Sequence, residues 1–127
     1  MGESTMASHV KLSDTPRDAG IALHARGLAL TESNRGILRQ ILTTTLGRFA
    51  HRIRDIHVWL DDVNGPRGGM HIRCRIDVQF RPRGRNWVSA LAIDEYSAVA
   101  KAAVRALELV DRRIKKARTR RRQLVRQ

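Results

Sequence analysis

The sequence predicts an α+β fold: a two-layer β-α-β-β-β-α sandwich, with a four-stranded sheet carrying two helices on one of its faces. Three observations predict it. Four short segments alternate apolar and polar residues with period 2, two longer segments carry apolar stripes at three- and four-residue steps, and the segments follow one another in that order. A crossover helix between the first two strands makes those strands parallel, and the right-handed connection sets the helix on one face of the sheet. The last helix is expected to cover the same face, which leaves the other face to solvent.

In the first strand, Ile21, Leu23 and Ala25 alternate with Ala22, His24 and Arg26, and Gly27 ends it. Thr31-Glu32-Ser33-Asn34 then offers several N-caps. Beyond them Leu38, Ile41, Leu42, Thr45, Leu46, Phe49 and Ile53 recur at helical steps. The first helix is therefore predicted over Arg35 to Arg52, with Arg35, Arg39 and Arg48 off its apolar stripe. Gly47 and the Thr43-Thr44-Thr45 run weaken intrinsic helicity, so packing has to hold this helix.

Period 2 returns at Ile56, Val58 and Leu60, interleaved with His57, Trp59 and Asp61. Asn64-Gly65-Pro66-Arg67-Gly68-Gly69 is a turn by composition. The clearest strand follows, with Ile72, Cys74, Ile76, Val78 and Phe80 on one face and His71, Arg73, Arg75, Asp77 and Gln79 on the other. Arg81-Pro82-Arg83-Gly84-Arg85 is a basic hairpin loop, and a fourth strand covers Trp87 to Ile93, whose buried face the alternation leaves open. Asp94 is the N-cap of a long final helix with Tyr96, Val99, Ala103, Leu107, Val110 and Ile114 as its stripe. Ala102 and Ala106 allow close approach to the sheet, and the helix is expected to fray into Arg120-Arg121-Arg122. The open sheet face should then carry His24, Arg26, His57, Trp59, His71, Arg73 and Arg75.

A chain of 127 residues with 42% hydrophobic content is one domain with a single modest core. Residues 1–20 read as a flexible N-terminal segment, 21–117 as the α+β domain and 118–127 as a basic C-terminal tail. The lone cysteine, Cys74, excludes an internal disulfide and fits a reducing, cytoplasmic compartment. Alternation points it away from Arg73 and Arg75, as a buried structural thiol. No apolar run suits a membrane span, and the polar N-terminus is no secretory signal.

Charge is the functional signal. The net charge is +13, and the nine Lys and Arg between Arg112 and Gln127 meet no acid there. Charge packed this densely suits counterion release from a phosphate backbone, so nucleic acid is the expected partner. Arg outnumbers Lys, which favours bidentate phosphate contacts and stacking on exposed bases.

The candidate RNA-binding residues are Lys101, Arg105, Arg112, Arg113, Lys115 and Lys116 on the last helix, extended by Arg118, Arg120, Arg121 and Arg122. Arg81, Arg83 and Arg85 in the hairpin loop are a second phosphate anchor, and Arg67 is a weaker candidate. Tyr96 sits on the apolar stripe as a core anchor. Trp59 either stacks on a base or is buried under the N-terminal segment, burial being the preferred reading. A metal site from His24, His57 and His71 is disfavoured by the neighbouring arginines, and no cofactor or small-molecule substrate is expected. Asp61 and Asp62 point to opposite strand faces, and no catalytic triad turn, P-loop or dinucleotide fingerprint is present, so the chain reads as non-enzymatic.

Three motifs in register with the element order carry a resemblance. They are Leu60-Asp61-Asp62-Val63-Asn64-Gly65-Pro66-Arg67-Gly68-Gly69 followed by Arg73-Cys74-Arg75, then Asp94-Glu95-Tyr96, then Asp111-Arg112-Arg113-Ile114-Lys115-Lys116. From Ile21 to Lys116 the chain resembles the ribosome hibernation-promoting factor and ribosome-associated inhibitor family, also called sigma-54 modulation proteins, and its arrangement is similar to double-stranded-RNA-binding domains. It departs from the family at Met70-His71-Ile72, where Asp-Lys is common, and at Ala98-Val99-Ala100, where an acid is common. The resemblance implies a protein bound to the small ribosomal subunit and its rRNA, in the channel used by mRNA and tRNA. There it blocks translation under stress or in stationary phase. It also implies a short form without the C-terminal dimerisation domain, one that does not itself pair two ribosomes. A general structured-RNA-binding module and a protein-binding regulator of transcription are the alternatives.

Overall fold

The computed structural model describes residues 8–11, 20–63 and 71–126. Its elements run β1 (Ser8–Lys11), β2 (Gly20–Arg26), α1 (Glu32–Leu46), a 3-10 helix (Gly47–Arg52), β3 (Ile53–Asp62), β4 (Ile72–Phe80), β5 (Arg85–Ala92) and α2 (Glu95–Arg126). The four expected strands and both helices are present. The glycine-rich turn with Arg67 lies outside the described residues.

The sheet order is β1-β2-β3-β4-β5. The crossover through α1 makes β2 and β3 parallel, Leu23 opposite Val58, and every other pairing is antiparallel. β1 is an addition to the expected four strands, and it falls inside the segment read as a flexible lead. It pairs Val10 with Ile21 and closes the otherwise bare edge of β2. Four residues with a single branched apolar side chain are too few to show a period, which is why the sequence did not mark them.

Two boundaries and one burial also differ from expectation. The first helix starts at Glu32, because Thr31 is its N-cap and accepts a hydrogen bond from the Asn34 amide at 3.0 Å. It ends at Leu46 and tightens into the 3-10 helix from Gly47, a residue of low helix propensity, so Ile53 opens β3 rather than closing the helical stripe. Arg35, expected off the stripe, is buried at 4% exposure, with Nη1 reaching the Leu23 carbonyl at 3.5 Å.

Helices and sheet enclose one core. Ile21, Leu23, Ile56, Val58, Leu60 and alternate residues of β4 from Ile72 to Phe80 face Leu38, Leu42 and Leu46 of α1. Ala98, Ala102, Ala103 and Ala106 bring α2 close to the sheet, with Val99, Val110 and Ile114 filling the space between. On β5 the buried face is that of Ala90 and Ala92, which leaves Trp87 and Leu91 exposed. Tyr96 packs against the core, as its place on the stripe implied, and its hydroxyl donates to Asn34 Oδ1 at 2.7 Å, tying the two helix starts together. The Asp94 carboxylate caps α2 by accepting from the Ser97 amide at 2.7 Å. No helix among the described residues is long and apolar enough to cross a membrane.

α2 does not fray. It continues through the basic tail to Arg126, a run in which Arg, Lys, Gln, Leu and Ala of good helix propensity outnumber Thr119 and Val125. Cations near a helix C-terminus are also favoured by the macrodipole. Ile114 is its last buried residue, and the side chains from Lys115 to Val125 are all exposed. Lys116, Ala117 and Arg120 still border the β4–β5 loop, so at 1.5 Å per residue about 9 Å of helix, from Arg121 on, stands clear of the body.

Candidate nucleic-acid interface

The basic side chains of α2 form a continuous ridge because they recur at helical steps. Lys101, Arg105, Arg112, Lys116 and Arg120 follow one another four or seven residues apart; the first three lie away from the buried alanines, and the row then winds round so that Lys116 and Arg120, five full turns beyond Ala98 and Ala102, face the β4–β5 loop. The ridge begins beside the outer edge of the sheet. Arg105 Nη1 donates to the Ser89 carbonyl at 2.5 Å and Lys101 Nζ to the Leu91 carbonyl at 3.3 Å, so both lie over the free edge of β5. These two side chains satisfy carbonyls that would otherwise be open to a further strand. They hold the edge as well as extending the positive surface.

Further along, α2 meets the β4–β5 loop. The sequence treated the loop and the helix exit as separate anchors, and the fold joins them. Arg81, Arg83, Arg113, Lys116 and Arg120 line one cleft, together with Arg52. Phe80 and Pro82 supply its apolar wall. Arg113 is the link: its Nη2 donates to the Arg83 carbonyl at 3.0 Å and its guanidinium lies 4.3 Å from the centroid of the Phe80 ring. Gly84 lets it in. Its φ of +99° suits glycine, and a Cβ there would collide with the Arg113 guanidinium.

The loop is braced from the other side by β3. The Arg81 amide donates to the Arg52 carbonyl at 3.0 Å, Arg81 Nε to the Ile53 carbonyl at 3.2 Å, and Arg54 Nη2 to the Pro82 carbonyl at 2.9 Å. Arg52 and Arg54 were not among the expected residues. Only the register that sets Ile53 opposite Phe80 brings them to the loop, and no local motif announces that pairing.

Arg85 does not line the cleft: it opens β5, where it lines a groove on the open sheet face with Trp87 and a recess with Arg54 and Arg83. Arg112, Lys115 and Lys116 flank a shallow surface beside Asn86 and Leu109. Arg118, Arg121 and Arg122 stand toward the C-terminal end of α2, where every side chain is solvated. Lys115 pairs with Asp111 at 3.0 Å, four residues back, an exposed contact of small energetic weight. No other member of the ridge on α2 has an acid within ion-pair distance among the described residues. The ridge therefore keeps its charge for an external anion.

On the opposite face of the sheet, Trp59 is 40% exposed rather than buried. It stacks with His24 and His57, whereas His71 stands apart with Nδ1 3.1 Å from Asp62 Oδ1. Among the described residues no group of three or more His, Cys, Asp or Glu is placed to hold a metal ion. Cys74 is fully buried, and burial pushes its thiol up to about 12, so it is protonated and unreactive at neutral pH.

No family model matches the sequence, and no curated protein matches it. Solved structures do match its fold. The N-terminal domain of Protein Y from Thermus thermophilus superposes with a TM-score of 0.58 at 24% identity, over 71% of this chain and 92% of that one. A ribosomal subunit interface protein from Coxiella burnetii superposes with a TM-score of 0.55 at 14% identity, over 75% of this chain and 97% of its own. The shared fold spans nearly the whole of both.

Proposed function

We propose that this protein is a non-enzymatic, ribosome-associated inhibitor of translation. It binds small-subunit rRNA in the mRNA–tRNA channel and acts under stress or in stationary phase, as a cytoplasmic factor. The observation that carries this reading is the cationic ridge of α2, which runs without a break from the β5 edge into the cleft with Arg81 and Arg83 and on to a projecting helical rod. Folded rRNA presents phosphates and 2′-hydroxyls along A-form grooves, and a fixed row of guanidinium and ammonium groups is complementary to such a path. The fold it shares with a ribosomal subunit interface protein and the sequence motifs quoted above support the same partner.

Sucrose-gradient sedimentation of extracts from starved or stationary-phase cells tests the proposal. The protein is expected to travel with 30S or 70S particles, and its retention at the top of the gradient refutes the ribosomal partner. Competition between purified ribosomes and duplex RNA separates a ribosome-directed protein from a general structured-RNA-binding module.

A further inference from the structure

Both tryptophans of the chain, Trp59 and Trp87, lie on the sheet face that the helices leave open, 40% and 53% exposed. Large rings left half in water forgo part of the free energy of burial, so their arrangement needs a reason. Each is held flat against a second planar group. The Trp59 ring stacks on His24 with centroids 4.9 Å apart and planes 16° from parallel, and on His57 at 5.6 Å and 22°. The Arg75 guanidinium lies 4.4 Å from the Trp87 ring centroid while its Nε donates to Asp77 Oδ1 at 2.8 Å.

Strand register builds this surface. His24 stands opposite Trp59, Trp59 opposite Arg75, and Asp77 opposite both His57 and Trp87. The two tryptophans are thus separated by β4, two strand spacings across and two residues along, or about 12 Å. Between them runs a groove lined by His57, Trp59, Arg75, Arg85, Asn86 and Trp87, with Asp77 and Gln79 at its floor. Asp77 is paired with Arg75, which leaves the positive charge of Arg85 uncompensated at the rim.

We propose that this face is a stacking platform for the unpaired bases of a single-stranded nucleic acid. Exposed indole faces and a guanidinium plane are surfaces on which bases stack whatever their identity. The Gln79 amide, beside Asp77 on the open face, lies where base edges would pass, and Arg85 meets the phosphates that follow. An apolar peptide fits this groove less well, because it would bury the Arg75–Asp77 pair and Arg85 without satisfying their charge. The platform is on the opposite side of the sheet from α2, so it does not rest on the ribosomal reading.

Because the chain has no other tryptophan, its intrinsic fluorescence reports this face alone. A short oligouridylate is expected to quench that fluorescence at an ionic strength where an abasic oligonucleotide of the same length leaves it unchanged. Equal quenching by the deoxy counterpart also supports the proposal, since stacking does not require the 2′-hydroxyl. Trp59→Ala and Trp87→Ala should each weaken binding of a labelled oligouridylate by about fivefold to a hundredfold, and Trp59→Phe and Trp87→Phe should restore most of it. An equal response to the abasic strand overturns the proposal. So does unchanged affinity in the alanine variants when circular dichroism shows them folded. If quenching is absent while the protein still co-sediments with ribosomes, this face is refuted and the α2 ridge is not.

Discussion

Arg113 reaches from α2 across the Phe80 ring to the Arg83 carbonyl, 3.0 Å from its Nη2, and so one side chain links the helix to the loop that carries Arg81 and Arg83. This bond ties the loop to α2, while Arg52, Ile53 and Arg54 hold it from the β3 side. Gly84 is the condition for the Arg113 bond, through both its φ of +99° and the absence of a Cβ. Gly84→Ala is therefore expected to destabilise the fold by about 1–3 kcal/mol and to displace the loop. Urea unfolding measures the first effect, and reduced rRNA affinity at native secondary structure the second. An unchanged unfolding midpoint would contradict the packing described.

The ridge separates into residues that hold the fold and residues that do not. Arg112, Lys116 and Arg120 make no hydrogen bond to the body among those described, whereas Lys101, Arg105 and Arg113 bond to backbone carbonyls. Reversing the first set with Arg112→Glu, Lys116→Glu and Arg120→Glu should leave the melting temperature within a few degrees and abolish ribosome co-sedimentation. Reversing Lys101 and Arg105 should in addition open the β5 edge and promote self-association, seen by light scattering. Wild-type affinity should fall with salt, with a log–log slope of about −4 to −8 if five to nine phosphates are neutralised.

His24 is pushed below the usual imidazole range by burial, with the nearby charges of His57 and Arg35 acting in the same direction. Its folded pKa is lower than its unfolded one, so the unfolded chain binds the proton more readily. Its contribution to stability is thus complete above about pH 6.5 and declines as the pH falls below that value. Thermal unfolding followed between pH 7.5 and pH 5.5 should show this decline, and His24→Phe should flatten it.

Cys74 is expected to resist modification in the folded protein. Its thiol is pushed up to about 12 by burial and has no exposed surface, so a thiol reagent such as DTNB should react only after denaturation. Rapid labelling of the native protein would place the β4 core face elsewhere.

Much of this was legible in the sequence because the signals were local. Alternation from Ile72 to Phe80 gave β4 and its buried face, and the spacing from Val99 to Ile114 gave the buried stripe of α2. What escaped depended on contacts remote along the chain. β1 exists because β2 offers it an edge, and Arg35 is buried because the Leu23 carbonyl lies within its reach. The cleft is of the same kind. Arg81 and Arg83 could be named as basic loop residues, but their union with Arg113 and Arg120 follows from how α2 crosses the sheet, which no periodicity encodes.

The helical rod beyond Ile114 has a consequence of its own. A tail of loose cations attracts any polyanion in any arrangement, whereas charges mounted on a stiff shaft keep fixed places relative to the folded body. Inserting a hinge with Ala117→Pro would preserve every charge and the core while letting the shaft swivel. A loss of ribosome affinity in that variant, with binding to heparin unchanged, would show that aim and not attraction distinguishes the correct target.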